Sequence, residues 1–322
     1  MNETRIIEKT PGAVEAQPLG RELFLQWQQS IDVSPKTKET YFRNIRPFWE
    51  YINAQGITNP TRRDVLAYRD ALTAAGKKPA TVSAYLRALH SFFTFTNDCG
   101  IYPDIVKGVK APRPAPGHKK DPLTAAQAAG VLKNIDRDTL QGKRDFAIVA
   151  LMATAGLRSV EVMRANVGDI QTTSDGRNSY NALFVQGKGR NDREEFVKLS
   201  GPVLEAIRDY LAARPGRSTA DAPLFASISP NSNGARLTTR SISRICKNAF
   251  LRTGINSPRI TAHSLRHTAA TLNLLSGGTP EETQQLLRHR NPATTQIYSH
   301  ALQRGENNSE ERITAAIFSA EE

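Results

Sequence analysis

Apolar side chains in the first third of the chain recur at the spacing of an α-helix. Tyr41, Ile45, Phe48 and Ile52 lie four, three and four residues apart, which places them on one helix face that must be buried. The Ser-Pro pair at 34–35 supplies an N-cap followed by a first-turn proline. The pattern therefore predicts a helix that begins at this pair and packs through that face.

Two more apolar stripes follow, and each comes after a proline that can start a helix. The Asn-Pro pair at 59–60 and the Lys-Pro pair at 78–79 are predicted to begin these helices. Their apolar faces are Val65, Leu66, Tyr68 and Leu72 in the first, and Val82, Tyr85, Leu86, Leu89, Phe92 and Phe93 in the second. Residues 1–17 have no such periodicity and are predicted to be a flexible arm, so a helical domain is expected over 18–106.

The composition changes over residues 107–121. The run KGVKAPRPAPGHKK contains five Lys or Arg, three prolines and no acidic residue, so it cannot continue a helix. It is predicted to be an extended interdomain linker, which is compatible with a second interpretation in which its cations lie on phosphates. A second domain is predicted over 122–303, followed by a tail over 304–322.

The pattern in the second domain predicts mostly helices and one small sheet. Residues 146–153 are apolar on every face, which is typical of a core helix. Two strand-like runs at 182–185 and 195–199 flank a Gly-rich polar turn and predict a hairpin. Further helices are predicted at Val203–Leu211, Ser241–Phe250, Ser264–Leu275, Pro280–Leu287, Pro292–Leu302 and Arg312–Phe318. The expected fold class is mainly α with a small β-sheet.

Length and composition favour a two-domain globular chain. Its 322 residues exceed the usual size of one hydrophobic core. The chain has no apolar run of about 18 residues that would predict a membrane-spanning helix, and its N-terminus does not have the pattern of a secretory signal. Cys99 and Cys246 lie far apart without Cys or His partners, which excludes a disulfide framework and a zinc finger and favours the reducing cytoplasm.

The net charge narrows the functional classes. Lys and Arg number 43 against 31 Asp and Glu, which gives a balance of +12. Such an excess favours a polyanionic partner, most often nucleic acid, although anionic membrane surfaces and ribosomes remain open.

Two segments of the second domain place a cation beside glycine. Gly156 can end the core helix in a left-handed conformation and so turn Arg158 away from the core. Lys188 stands between two glycines at the tip of the predicted hairpin, where the backbone can approach a ligand closely. Taken alone, each signal is better explained by structure: the first by a helix-capping glycine with a surface arginine, and the second by an exposed loop lysine without a role.

Two later segments carry histidine, arginine and tyrosine. His263 and Arg266 are three residues apart, so they share one helix face. This spacing excludes the two-histidine helix of a zinc protease. Tyr298 lies nine residues beyond His289, and on its own it is typical of a buried helix tyrosine with a satisfied hydroxyl.

Taken together, the four segments resemble the tyrosine recombinase (phage integrase) family. The matching stretches are AGLRSVE at 155–161, QGKGR at 186–190, HSLRHTAAT at 263–271 and LLRHRNPATTQIYSH at 286–300. The last two are the most specific, because the family has the same His-to-Tyr interval. The resemblance covers residues 18–320. It implies an N-terminal helical bundle of the core-type, SAM-like DNA-binding class and a tyrosine recombinase catalytic domain with a mixed α/β-hairpin fold.

The resemblance implies a reaction in which a tyrosine hydroxyl attacks a DNA phosphodiester. Arg158 and Arg266 would hold the non-bridging oxygens, since guanidiniums bind them bidentately and stay charged. Tyr298 would be the nucleophile that forms a 3′-phosphotyrosyl link. His263 would accept its proton and His289 would donate a hydrogen bond to the phosphate.

Three more residues have supporting roles in the same resemblance. Lys188 would be the general acid that protonates the 5′-oxygen, Glu161 would orient the cluster, and His267 would be structural. These residues include only one carboxylate, which argues against a two-metal nuclease, so neither a metal nor another cofactor is expected. Position 288 departs from the family pattern, because an arginine stands where the family usually has glycine.

The implied partner is double-stranded DNA, enclosed by a C-shaped clamp of both domains. The resemblance implies a tetramer on DNA whose protomers exchange their C-terminal tails; accessory proteins remain open, and no membrane is involved. Candidate DNA contacts are Lys36, Arg43, Lys77, Lys78, Thr81, Tyr85, Arg87, Lys110, Arg113, Lys119 and Lys120.

Two other functions remain open at this point. One is a catalytically idle DNA-binding regulator with the same fold, although the presence of all six expected catalytic residues argues against it. The other is an enzyme similar to a type IB topoisomerase, which relaxes DNA as a monomer on any sequence.

Overall fold

Helices dominate both parts of the chain, and a small sheet lies in the second part. The computed structural model describes residues 21–113, 120–187, 192–216, 218–232, 234–289, 291, 295, 298 and 309–318. The described residues form two units, one before and one after the segment 114–119. The predicted fold class, mainly α with a small β-sheet, is confirmed.

Four helices lie in the described part of the first unit, residues 21–113, and their apolar stripes meet in its core. Trp27, Phe48 and Phe93 are fully buried, together with most of the apolar positions that the periodicity selected. Tyr41, Leu66 and Tyr85 lie at its margin and are only half-buried. The helices are α1 (Arg21–Ser30), α2 (Pro35–Ala54), α3 (Arg62–Ala74) and α4 (Pro79–Asp98).

The start of α3 differs from its prediction. The Asn-Pro pair at 59–60 lies before the helix, and Thr61 is the N-cap. The carboxylate of Asp64 accepts hydrogen bonds from the backbone N–H and the hydroxyl of Thr61, both at 2.7 Å. This cap gives partners to the backbone N–H and the hydroxyl of Thr61, which a helix beginning at Pro60 would not provide. The helix therefore begins at Arg62, two residues after the proline. The predicted starts of α2 and α4 are confirmed.

The second unit surrounds a helix that is buried on nearly all sides. This helix, α6, has an unbroken run of buried side chains from Ala147 to Ala153, as its uniformly apolar sequence predicts. The other helices are α5 (Ala125–Lys133), α7 (Ser159–Arg164), α8 (Gly201–Ala213), α9 (Thr239–Arg252), α10 (Ala262–Leu275), α11 (Pro280–Leu287) and α12 (Ser309–Phe318), and α6 itself spans Leu140–Ala155. The helix predicted at 292–302 lies outside the described residues except for positions 295 and 298.

The sheet has three antiparallel strands in the order β1-β2-β3. Strands β2 (Ser179–Val185) and β3 (Glu195–Lys198) form the predicted hairpin, with Val185 opposite Glu195. Strand β1 (Ile170–Ser174) was not predicted. Its residues are mostly exposed, so it lies at the sheet edge without the apolar alternation that would reveal it.

Within the described ranges, no helix combines the length and the apolar character that crossing a bilayer requires.

Candidate active site

The first part of the site is built where α6 ends and α7 begins. Gly156 has φ 60° and closes α6 in the left-handed conformation, as its position in the sequence predicts. Arg158 then occupies the N-cap of α7, and Glu161 lies in the first helical turn. The Glu161 carboxylate accepts hydrogen bonds from the Arg158 backbone N–H at 2.8 Å and from Nη1 at 2.7 Å. Arg158 is thereby fixed at both its backbone and its guanidinium.

A second arginine shares the same carboxylate. Nη2 of Arg288, the residue that ends α11, lies 2.8 Å from Oε2 of Glu161, and Glu161 is completely buried. Burial alone would raise the pKa of this carboxyl, but the charges of Arg288 and Arg158 and the bond from the Arg158 backbone outweigh it and lower the pKa. Glu161 is therefore an ionised carboxylate between two guanidiniums.

Arg266 joins the ends of two helices. It lies near the start of α10 and is 1% exposed. It donates through Nη1 to the Gly156 carbonyl and through Nη2 to the Leu287 carbonyl. Burial and the like charge of Arg158 lower its pKa to about 9, so it is still protonated at neutral pH. The spacing of the sequence gave no indication of these two backbone partners.

Tyr298 points its hydroxyl at α10. The phenol oxygen lies 2.5 Å from Nδ1 of His267, and the ring of His267 packs edge-on against His263 with centroids 4.7 Å apart. Burial raises the pKa of Tyr298 more than the charges of Arg266 and Arg158 lower it. The phenol therefore keeps its proton at neutral pH, and its hydroxyl forms a hydrogen bond with Nδ1 of His267. His267, expected to be structural, contacts the predicted nucleophile directly.

His289 follows Arg288 at the turn after α11. Its Nδ1 lies 2.9 Å from the hydroxyl of Thr295, while its backbone N–H donates to the Gln284 carbonyl at 3.1 Å. Burial and the nearby guanidiniums of Arg266, Arg158 and Arg288 lower the pKa of His289 to about 4. Its ring is consequently neutral at pH 7.

His263 belongs to the same electrostatic environment. Burial lowers its pKa, and the charges of Arg266, Arg158 and Lys120 lower it further. The positive charges of Arg158 and Arg266 thus act on His263, His289 and Tyr298 alike. Five of the six predicted catalytic residues are brought together in this way.

The sixth, Lys188, lies outside the described residues, but both sides of its loop have described neighbours. On one side, Nη1 of Arg164 donates to the carbonyl of Gly187 at 3.2 Å. On the other side, Arg193 pairs with Asp169 at 2.8 Å and donates to the Arg164 carbonyl at 3.3 Å. These arginines tie the loop ends to the segment after α7. The sequence offered no signal for them, because their partners are backbone carbonyls and a distant carboxylate.

The candidate DNA contacts lie mostly on the surface. Lys36 pairs with exposed Glu39 at 2.6 Å, which is typical of a solvated helix face, and Lys120 donates to the Pro258 carbonyl at 2.7 Å. Thr81 and Tyr85 are half-buried. Lys119 lies outside the described residues. The exposed candidates are Arg43, Lys77, Lys78, Arg87, Lys110 and Arg113.

Across the described ranges, no group of three or more His, Cys, Asp or Glu is arranged to hold a metal ion.

Gly156→Ala is expected to destabilise the second unit. A Cβ at this position would lie 2.7 Å from Cδ2 of Leu287, and φ 60° is a left-handed conformation that costs an L-residue about 1–2 kcal/mol. Urea unfolding should therefore show a lower free energy of unfolding. Gly130→Ala is the matched control, because Gly130 is helical with open space around it, and it should stabilise by about 0.5–1 kcal/mol. An equal change in the free energy of unfolding for the two substitutions would contradict the backbone strain expected for alanine at position 156.

Comparison with known proteins identifies the family. Residues 122–304 match the model of the phage integrase family, and residues 24–98 match that of the phage integrase N-terminal SAM-like domain. The tyrosine recombinase XerD of Listeria monocytogenes serotype 4b (strain F2365) is 29% identical over 276 residues, which are 83% of this chain and 89% of that protein. The tyrosine recombinase XerC of Vibrio cholerae serotype O1 (strain ATCC 39541 / Classical Ogawa 395 / O395) is 31% identical over 290 residues, which are 88% of each chain.

Solved structures show the same fold. The XerH site-specific recombinase bound to palindromic difH substrate, a post-cleavage complex, aligns with TM-score 0.71 and 20% identity over 90% of this chain and 84% of that one. A lambda integrase (75-356) dimer bound to a COC′ core site aligns with TM-score 0.65 and 16% identity over 86% and 97% of the two chains. The resemblance inferred from the motifs is confirmed: the chain belongs to the phage integrase family and is a site-specific tyrosine recombinase.

Proposed function

We propose that this recombinase cuts DNA by attack of the Tyr298 hydroxyl on a backbone phosphate. The phenol oxygen bonds to phosphorus, the bond to the 5′-oxygen breaks, and a 3′-phosphotyrosyl link and a free 5′-hydroxyl result. Attack by a 5′-hydroxyl on this link rejoins the strand, so the phosphodiester energy is conserved and no ATP is consumed. The proposal rests on one observation: the phenol of Tyr298 is buried at a place where the positive charges of Arg266 and Arg158 act on it.

The two arginines are suited to the charge that develops on the phosphate. Arg158 is the more accessible, with 28% of its side chain exposed. Arg266 is buried and uses two of its N–H groups on backbone carbonyls, which leaves three of its five donors for phosphate oxygens. Preorganised donors in a site with little water act more strongly than in bulk solvent. We therefore assign both guanidiniums to the non-bridging oxygens.

The proton of Tyr298 has two candidate acceptors on α10. His267 already shares a hydrogen bond with the hydroxyl, and His263 lies against His267. We retain His263 as the acceptor during attack and assign to His267 the orientation of the phenol beforehand. His263→Gln and His267→Gln, compared in single-turnover cleavage, test this division of roles. An equal loss of rate in both variants would give His267 a share in proton transfer.

Two further groups complete the proposed chemistry. His289 would donate a hydrogen bond to the phosphate, with its ring held by Thr295. Lys188 would protonate the leaving 5′-oxygen, and its described neighbour Gly187 accepts a hydrogen bond from Arg164 at the end of α7. A substrate with a 5′-thiolate leaving group needs no general acid, so it should restore cleavage by Lys188→Ala if the assignment holds.

The proposed partner is double-stranded DNA. The charge of +12 and the exposed cations of the first unit support this, and the structural relatives named above were solved with DNA. We assign the segments accordingly: arm 1–17, DNA-binding helical domain 18–106, linker 107–121, catalytic domain 122–303 and exchange tail 304–322. Phosphate contacts release counterions, so affinity should fall steeply with salt. The cytoplasm is the proposed compartment.

Assembly into a tetramer on DNA is part of the proposal. Ile313 and Ile317 on α12 are 59% and 57% exposed, and apolar side chains at this spacing lie on one helix face that a neighbouring protomer can cover. Ile313→Ser combined with Ile317→Ser should leave first-strand cleavage intact and lower tetramer formation on DNA. Accessory proteins are a further proposed component.

A trapping experiment tests the proposed function. The protein is incubated with duplexes from the DNA flanking its gene, denatured with SDS, and the linked DNA ends are mapped. A duplex nicked just beyond the mapped site then loses its short 5′-hydroxyl fragment and cannot be rejoined. A covalent adduct on Tyr298 with a free 5′-hydroxyl supports the proposal.

Other outcomes identify the alternatives. Tight binding without any adduct would make the chain a DNA-binding regulator. Relaxation of supercoiled plasmids that lack the mapped site, with the protein as a monomer, would make it an enzyme of the topoisomerase type.

Below neutral pH, the protein is expected to take up protons when it binds DNA. The pKa of His289 is about 4 and that of His263 is also lowered, because partial desolvation and the nearby charges of Arg266 and Arg158 disfavour the protonated rings. A phosphate anion in the site opposes this effect and raises both pKa values, so the complex holds more protons than its components. Affinity should consequently increase as pH falls from 7 towards 5.

Calorimetry in buffers of different ionisation enthalpy measures this uptake directly. Tyr298→Phe is the background in which to measure it, because it separates binding from cleavage. His289→Gln should reduce the uptake, whereas His90→Gln, at an exposed position of α4, should leave it unchanged. Proton release on binding would contradict the prediction.

A further inference from the structure

Arg288 occupies a backbone position that does not suit its side chain. It ends α11 with φ 53° and ψ 47°, and within the described residues it is the only non-glycine at positive φ. A left-handed conformation of this kind costs an L-residue free energy that glycine avoids. Something in the surroundings must therefore hold the arginine in place.

The side chain of Arg288 is directed inward and pairs with the central carboxylate. Only 5% of it is exposed, and Nη2 lies 2.8 Å from Oε2 of Glu161, which is itself 0% exposed. Nη1 donates to the Leu286 carbonyl at 2.7 Å, and Nε is buried without a hydrogen-bond partner. Such burial of a guanidinium is costly, and a buried ion pair is weak evidence for a contribution to stability.

The pair changes the charge of the site. Glu161 contacts Arg158 through Oε1 and Arg288 through Oε2. With Arg158 alone, the Glu161 carboxylate would cancel the charge of that guanidinium. With both arginines the three groups carry a net +1, and Arg158 stays oriented by Glu161 without being neutralised. Arg288 also precedes His289, so the same ion pair links the His289 turn to α7.

We propose that Arg288 is a positioning residue for strand cleavage, acting through Glu161 to keep Arg158 available to the scissile phosphate and to hold the turn that carries His289. The inference rests on the proposed function, because it assigns Arg288 to the same site. A purely structural role for the pair would affect folding and binding, whereas this role affects the rate of the cleavage step.

The test compares Arg288→Gly with Arg288→Lys. Glycine suits the left-handed backbone, so this variant should fold, and its free energy of unfolding is measured by urea titration. We expect single-turnover cleavage at saturating DNA to fall about tenfold or more in Arg288→Gly, the scale of losing a group that orients a catalytic one. The dissociation constant for DNA should change much less, and Arg288→Lys should recover part of the rate.

A double-mutant cycle asks whether Arg288 acts through Glu161. In a Glu161→Gln background the added Arg288→Gly should have little further effect on the rate, because the carboxylate is already absent. The same loss in both backgrounds would overturn the proposal, as would wild-type cleavage by Arg288→Gly. Arg137→Gln is the control for losing an arginine–carboxylate contact elsewhere in the unit, since Arg137 pairs with Asp209, and it should cleave normally.

Adduct formation by the wild-type protein distinguishes failure of the proposed function from failure of the role assigned to Arg288. If it forms no adduct at Tyr298, the proposed function itself fails. If it forms the adduct and Arg288→Gly forms it at the same rate, only the role of Arg288 fails.

Discussion

Replacing Tyr298 with phenylalanine is expected to abolish covalent attachment to DNA while leaving DNA binding nearly unchanged. The ring is 6% exposed and phenylalanine fills the same space, so the surrounding packing is retained. What disappears is the hydroxyl that would attack phosphorus and that now bonds to Nδ1 of His267. Removal of a catalytic nucleophile costs on the order of 10⁶ in rate, which places residual cleavage below detection.

The measurement is the SDS-resistant adduct on a nicked duplex, together with the dissociation constant for the intact one. Tyr180→Phe is the matched control, because Tyr180 lies on β2 of the same unit with Lys198 over its ring. This control should form adducts at the wild-type rate. Adducts formed by Tyr298→Phe would assign the nucleophile to another residue and remove the basis of the proposed mechanism.

Arg266→Lys is expected to lower both the cleavage rate and the stability of the second unit. Lysine keeps the charge but cannot reach the carbonyls of Gly156 and Leu287 together and still face a phosphate. Losing a preorganised donor to a developing charge costs about 10²–10³ in rate. A buried carbonyl left without a partner costs about 1–3 kcal/mol, so the urea midpoint should also fall.

Arg158→Ala distinguishes the effect on the cleavage rate from the effect on the stability of the second unit. This guanidinium is partly exposed and its partner Glu161 retains Arg288, so the cleavage rate should fall strongly while stability changes less than in Arg266→Lys. Arg244→Lys, at an exposed position of α9, is the control and should change neither quantity. Normal cleavage by Arg158→Ala or Arg266→Lys would contradict the assignment of the guanidiniums to the phosphate.

The sequence predicts the helices of this fold well wherever a buried stripe repeats. The periodic apolar positions of α2 and α4, the prolines that precede them and the uniformly apolar α6 all lead to the observed elements. Strand β1 was missed because its side chains face solvent and its stability comes from pairing with β2. The start of α3 was misplaced because an Asp–Thr cap prevails over the proline signal.

For the site, motifs identify residues but not their contacts. The two arginines and the later tyrosine could be named because four short segments together resemble the family, although each segment alone is a weak signal. The bond from Tyr298 to His267 and the pairing of Arg288 with Glu161 join residues 31 and 127 positions apart. Such contacts depend on how α7, α10 and the end of α11 pack, which no local pattern encodes.

The two backbone bonds of Arg266 have a consequence for how this enzyme matures. Its guanidinium joins a carbonyl 110 residues earlier in the chain and another 21 residues later. No fragment ending before Leu287 can contain the complete arrangement, and neither can a copy whose last helices have come loose. Because we assign Arg266 to the scissile phosphate, we expect an incomplete or partly unfolded molecule to be unable to cleave DNA until the whole second unit has folded.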